Sequence, residues 1–173
     1  MVQSVELLLD PHLDGAVRAE WQTLWDAGMP SLRRITAESN RPHITLFVAR
    51  SIPTEVDEAL TYAVSAPSFP IRLGGHLIFG SKHVTLARSV LPSRSLLTLH
   101  RRVWDAASHG LDVPPHIEPG RWTPHVSLSR RLPSADLGSA VSILDGAELS
   151  GHGTVLRRWD GDAKREWNLT LPP

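Results

Sequence analysis

The chain has no cysteine, which excludes disulfides, thiolate metal sites and a cysteine nucleophile. Lysine is nearly missing as well: Lys82 and Lys164 are the only two, and arginine carries the rest of the positive charge. A compositional bias would produce that preference, but the planar arginine fork also suits bidentate contact with phosphate. No stretch approaches the ~20 consecutive apolar residues of a membrane span. Met1 to Asp10 has no basic region ahead of its apolar residues and makes a poor signal peptide, so a cytoplasmic location without membrane contact is expected. Excess charge of either sign is absent too, with 18 basic and 18 acidic residues. A protein that grips long duplexes would show a basic excess; a small phosphate-bearing substrate or a single RNA end fits a neutral chain better.

What is present is an ordinary globular composition, 41% hydrophobic and 21% charged over 173 residues. A chain of this length removes roughly 70% of its unfolded surface from water on folding. One domain spanning 1–173 is expected, built as two lobes sharing a core. Val5, Leu7 and Leu9 suggest a first strand. Asp10-Pro11 opens a helix through Leu13, Val17, Trp21, Leu24 and Trp25 that Gly28 closes. Residues 31–41 read as a short strand and a loop, and 42–49 as a buried strand. Thr54 caps a helix running to about Ser65. Phe69 to Phe79 and His83 to Val90 read as strands. Pro92-Ser93 starts a long amphipathic helix stopped by Gly110, and 111–120 is a loop. Trp122 to Ser129 is the next strand, Ser134 caps a further helix, and 149–159 with 165–171 form a hairpin across Asp160-Gly161-Asp162.

The most informative feature is a long-range echo. Pro42-His43-Ile44-Thr45-Leu46 matches Pro124-His125-Val126-Ser127-Leu128, and each is followed by a proline, a polar cap, a helix and a further strand. Along a strand, residues two apart share a face, roughly 6.5–7 Å from each other. His43 therefore points with Thr45, and His125 with Ser127. If two lobes face each other, two imidazoles flank one phosphorus. One can take a proton from the attacking oxygen while the other gives one to the departing oxygen. The two hydroxyls can donate to non-bridging oxygens as charge builds on them. His83-Val84-Thr85-Leu86 is a third copy, lacking the leading proline; the matching Pro-His starts favour His43 with His125.

On these motifs the chain resembles the two-histidine (2H) phosphoesterase superfamily, in its LigT-like or 2′-5′ RNA ligase-like branch. The resemblance covers nearly the whole chain and places the family motifs on His43-Ile44-Thr45-Leu46 and Pro124-His125-Val126-Ser127-Leu128. It implies an α+β bilobal fold, two antiparallel sheets with pseudo-twofold symmetry around a central cleft and helices outside. It implies opening of a 2′,3′-cyclic phosphate on an RNA end or nucleotide, with possible reversible 2′-5′ ligation. Catalytic roles fall on His43, Thr45, His125 and Ser127, and a substrate-binding role on Arg130, where the branch often carries an arginine. No cofactor and no metal are expected, and a monomer is expected. A non-catalytic module that holds an RNA end or nucleotide is the alternative reading, and a metal-dependent hydrolase using the surplus histidines is a third.

Strict alternation would turn Arg130 away from His125, so its role requires a bulge or a strand end. Phe47 shares the parity of His43 and could line the cleft. Trp122 has the opposite parity to His125 and reads as packing. Trp21, Trp25 and Trp104 read as core residues on helix faces.

Overall fold

A computed structural model describes residues 2–63 and 68–169. Its strands are β1 (Gln3–Leu9), β2 (His43–Ala49), β3 (Phe69–Phe79), β4 (His83–Val90), β5 (His125–Pro133), β6 (Leu149–Asp160) and β7 (Arg165–Leu169). Its α-helices are α1 (Pro11–Asp26), α2 (Val56–Ala63), α3 (Arg94–Ala107) and α4 (Leu137–Ser142). The caps follow the sequence signals. The Asp10 carboxylate accepts from the Leu13 amide at 2.8 Å and Pro11 occupies the first turn, where its missing N–H costs nothing. Ser93 Oγ accepts from the Leu96 amide at 3.2 Å. Gly28, at φ 72°, ends α1 in a conformation that favours glycine.

All strand pairs are antiparallel, and the order is β2-β1-β6-β3-β4-β5, with β7 added to β6. That order is a palindrome. Exchanging β1 with β4, β2 with β5 and β3 with β6 returns the same arrangement, which is the pseudo-twofold expected from the repeated motif. The two expected sheets are continuous with one another, because β3 pairs β6 from Phe69↔Gly153 to Leu73↔Leu149. The ends of this sheet, β2 and β5, approach each other. The repeat thus places its two histidine strands at the two free edges and brings those edges together.

The helices are exchanged between the halves. The helix that follows β1, α1, packs on β6 and reaches β5, whereas α3 packs on β2 and α2. Close passage of α1 over β6 needs glycine at 151, where a Cβ would lie 2.7 Å from that of Leu13; at Gly153 a Cβ would lie 2.6 Å from Cδ2 of Leu7 on β1. Glu20 of α1 forms a buried ion pair with Arg88 of β4, whose guanidinium also donates to the carbonyls of Gly74 (3.0 Å), Ala147 (3.1 Å) and Asp145. Arg158 of β6 pairs with Asp57 of α2 at 2.6 Å, and the Trp167 indole N–H donates to the same carboxylate at 2.8 Å, pinning β7.

Several expectations change. Residues 31–41 contain no strand; a 3₁₀ turn, Leu32–Arg34, is held by Ser31 Oγ and by Asn40, which donates to the carbonyls of Leu32 and Ile35. The 111–120 loop contains a 3₁₀ turn, Pro115–Ile117. Ser134 starts a 3₁₀ turn rather than capping a helix, and α4 begins at Leu137. Trp25 is exposed, not core, because the buried stripe of α1 runs through Leu13, Val17, Glu20, Trp21 and Leu24. The expected helix end near Ser65 and the hairpin end at Leu171 lie outside the described residues.

Candidate functional site

Each Pro-His start has a local purpose. His43 Nδ1 lies 2.6 Å from the Arg41 carbonyl, and His125 Nδ1 lies 2.8 Å from the Thr123 carbonyl. A carbonyl can only accept, so in both rings Nδ1 carries the proton and Nε2 is left for chemistry. The acceptor is two residues upstream in each case, across Pro42 or Pro124. A proline confines the preceding residue to extended backbone, which holds that carbonyl in place for the imidazole. His83 is preceded by Lys82. It begins β4 opposite Pro133, exposed, at the far end of β5 from His125. Six residues of strand put it roughly 20 Å from that histidine. The third motif therefore stands apart from the other two.

Thr45 and Ser127 are half-buried, and among the described residues neither hydroxyl has an internal partner. Their backbone carbonyls are engaged. Trp122 Nε1–H donates to Thr45 O at 3.1 Å, and Trp21 Nε1–H donates to Ser127 O at 3.0 Å. These carbonyls belong to the two edge strands. The indoles thus satisfy acceptors that a neighbouring strand would otherwise take, and each joins a motif strand to the opposite half. Trp122 is itself stacked on His100 of α3, ring centroids 3.8 Å apart and 3° from parallel. Both tryptophans are more than the packing that their periodicity suggests.

The two motif strands have different neighbours. Thr45 pairs with Glu6 of β1, and Glu6 with Arg157 of β6. In the other half the corresponding row is Ser127, Ala87 and Leu77. Glu6 is 4% exposed, and its Oε1 lies 3.6 Å from His43 Nε2. Burial pushes the Glu6 carboxyl up, but the charges of His43 and Arg157 and hydrogen bonds from Ser4 and Arg157 outweigh it and hold the group below its ordinary value. His125 is packed against Phe79, centroids 4.7 Å apart. Burial depresses its pKa first, and although the Thr123 carbonyl works the other way, His43, Arg130 and His116 depress it further. At neutral pH His125 is therefore held neutral.

Arg130 reaches this neighbourhood through a bulge. Ala87 pairs with Ser127 but Leu86 pairs with Ser129, so one extra residue in β5 restores Arg130 to the parity of His125. A bulge in the pairing of β1 with β2 has the reverse effect on Phe47. The register shifts between Val5 and Glu6, so Phe47 faces away from the cleft, fully buried and edge-on to Trp104 at 5.9 Å. Phe47 is therefore core rather than cleft lining. Glu6, Phe79 and His116 are residues near the histidines that motif and parity arguments do not select. The only signal for Glu6 is an acid between Val5 and the Leu7-Leu8-Leu9 run of β1. Among the described residues no group of three or more His, Asp or Glu is placed to hold a metal ion, and no helix is long and apolar enough to cross a membrane.

A palindromic antiparallel sheet carrying His-x-[Ser/Thr] on both of its edge strands is the arrangement of a two-histidine phosphoesterase. The chain belongs to the 2′-5′ RNA ligase superfamily, whose model matches residues 13–163. Among solved structures it is similar to TT0787 of Thermus thermophilus (TM-score 0.63, 15% identity, 98% of this chain and 95% of that one). It is also similar to Kluyveromyces marxianus Usb1 (0.57, 14%, 98% of both chains) and to E. coli LigT complexed with ATP (0.53, 18%, 98% and 97%). At these identities the likeness concerns the fold. No curated protein matches the chain.

Proposed function

We propose that the chain is a cyclic phosphodiesterase that opens a 2′,3′-cyclic phosphate on an RNA end or nucleotide by general acid/base catalysis between His43 and His125. The observation that carries this reading is the matched pair of imidazoles, each fixed through Nδ1 by a carbonyl two residues upstream. One Nε2 accepts a proton from water as the water oxygen bonds to phosphorus. The other donates a proton to the ribose oxygen as its bond to phosphorus breaks, leaving a phosphomonoester. Thr45 and Ser127 donate to the non-bridging oxygens, and the Arg130 guanidinium offsets their charge. A ribose hydroxyl of a second RNA end, attacking in place of water, gives the ligating direction. Structures of E. coli LigT complexed with 3′-AMP and of Kluyveromyces marxianus Usb1 with uridine monophosphate support a nucleotide as the kind of ligand.

The test is turnover of 2′,3′-cyclic nucleotides and cyclic-phosphate-ended RNA by the His43→Ala and His125→Ala variants. Each should lose about 10²-fold or more. Wild-type turnover in both variants would remove the mechanism. Tight binding without product by the unmodified protein would favour a non-catalytic module.

A further inference from the structure

We infer that the far end of the β4–β5 ladder, where His83 and Thr85 stand beside Arg130 and Arg131, is a second phosphate subsite that takes the next phosphodiester of an RNA chain whose cyclic end lies between the two motif histidines. This deepens the reading above, on which it rests, by selecting RNA ends over mononucleotides as the substrate.

The third motif shares a face with the second. Ser127 pairs with Ala87, and residues paired directly across a ladder point to the same side. On β4 that side also carries Thr85 and His83, two and four residues from Ala87. Thr85 lies four residues, roughly 13 Å, along β4 from Ser89, the partner of His125, and His83 lies farther still. Groups at that distance serve a neighbouring phosphate, not the one under attack. Phe79 joins the two places: it pairs with Thr85, and its ring lies 4.7 Å from that of His125.

The ladder is irregular at this end, and only in this half. A first bulge is common to both halves: Ser127 and Ser129 face Ala87 and Leu86, as Thr45 and Phe47 face Glu6 and Val5. A second bulge has no counterpart. Leu86 pairs with Ser129 but Val84 pairs with Leu132, so Thr85 alone stands opposite both Arg130 and Arg131. In the first half the pairing continues unbroken, Ser4 with Val48 and Gln3 with Ala49. Arg131 takes the extra place at φ 61°, a left-handed conformation that glycine adopts more cheaply. Neighbours in a strand ordinarily point to opposite faces. Here Ser129 and Leu132 are buried and the two arginines between them are both exposed.

The groups so gathered are donors without acceptors. Arg88, Arg157 and Arg158 are buried against carboxylates. Arg130 and Arg131 have no ion-pair or hydrogen-bond partner for their side chains among the described residues, and neither have Thr85 and His83. Two guanidiniums, a hydroxyl and an imidazole N–H match the charge and the acceptor oxygens of a phosphodiester. The equivalent corner of the first half offers no such set. Ser4 stands in the place of Thr85 and donates to Glu6 at 2.6 Å, and Val48 and Ala49 stand in the place of the arginines.

The experiment uses the purified full chain and compares kcat/KM on 2′,3′-cyclic AMP with that on an adenosine trinucleotide ending in a 2′,3′-cyclic phosphate. Wild type should favour the trinucleotide by about tenfold or more, the yield of added charge-assisted bonds to phosphate. Arg131→Gly suits the left-handed backbone and removes only the side chain; Thr85→Val removes only the hydroxyl. Each should lose about fivefold on the trinucleotide and keep the wild-type rate on cyclic AMP. Added salt should slow trinucleotide turnover less steeply in Arg131→Gly than in wild type, because one phosphate contact is gone. No preference for the trinucleotide, or equal losses on both substrates, would overturn the inference. Should wild type turn over neither substrate, the phosphodiesterase reading has failed, and binding then decides the subsite. Fluorescence anisotropy with a 5′-labelled adenosine trinucleotide bearing a 3′-phosphate should show weaker binding by Arg131→Gly, with 3′-AMP competing equally well against a labelled mononucleotide in both proteins. Equal affinity of the two proteins for the trinucleotide would remove the subsite.

Discussion

The two halves of this molecule share a topology and a motif, yet their sites are built on different chemistry. Around His43 the sheet presents Glu6 and Arg157, both buried and tied to each other. Around His125 it presents Ala87, Leu77 and the Phe79 ring. Duplication supplies two imidazoles held alike through Nδ1, and the flanking rows make them unlike. Identical environments would give two groups competing for the same proton, whereas in-line displacement needs one protonated and one neutral group together. The lesson is that the repeated motif fixes geometry while the unrepeated neighbours fix the charge and polarity around each ring.

The strongest way to break that comparison is to make the His125 side wet. Phe79→Ala removes the ring that shields His125. Since burial is the leading cause of its depressed pKa, the group should return toward its ordinary value and bind a proton at higher pH than before. The limb of the pH–rate profile that His125 sets then moves to higher pH. A uniform loss at all pH values would mean that Phe79 packs the cleft without setting the protonation of His125.

A smaller effect should sharpen what the halves have in common. Trp21→Phe and Trp122→Phe each keep an aromatic ring and delete one N–H to a motif-strand carbonyl, Ser127 or Thr45. Each should cost about 1 kcal/mol in urea unfolding and lower kcat about fivefold as the freed strand loosens its histidine, with KM little changed. Equal stability losses but a kcat effect in only one variant would show that a single edge needs holding during the reaction.

Much of this architecture is legible in the chain because its determinants are local. Asp10-Pro11 and Ser93 announce helices whose caps they form, and two Pro-His-x-[Ser/Thr]-Leu segments announce two like strands. What escapes local reading is what depends on a partner strand. Phe47 has cleft parity until a register shift against β1 turns it inward, and Arg130 has core parity until a register shift against β4 turns it out. Glu6 reads as an acid set among the apolar residues Val5 and Leu7, since Thr45 and Arg157, which give it meaning, come from β2 and β6. Trp21 and Trp122 announce burial by their size, but an indole N–H names no acceptor, and theirs are on distant strands. In residues 31–41, side-chain bonds from Ser31 and Asn40 to backbone replace the expected strand with a turn, a competition that propensity does not resolve.

The smallest predicted effect concerns the support behind Trp122. His100 of α3 is buried, stacks on that indole and donates from Nε2 to the Ile117 carbonyl at 3.0 Å. Burial is the main reason that its pKa drops from 6.5 to about 4, with Arg101 adding to the effect and the Ile117 bond opposing it. Between those pH values the unfolded chain binds a proton that the folded chain refuses, so stability is full above pH 6.5 and declines as the pH falls toward 4. Glu6, Asp10 and Asp160, whose carboxyls are held low in the fold, lose their stabilising contribution only at lower pH, as each takes up a proton. His100→Phe preserves the stack and removes the titration. Its Tm at pH 7 should fall by about 2–4 °C for the lost hydrogen bond, while its further decline between pH 6.5 and about 4 should be shallower than that of wild type. Differential scanning calorimetry across this window separates the two, and parallel curves for variant and wild type would show that the acid sensitivity of the fold resides elsewhere, with His125 and His76, which burial shifts in the same direction, as the next groups to replace.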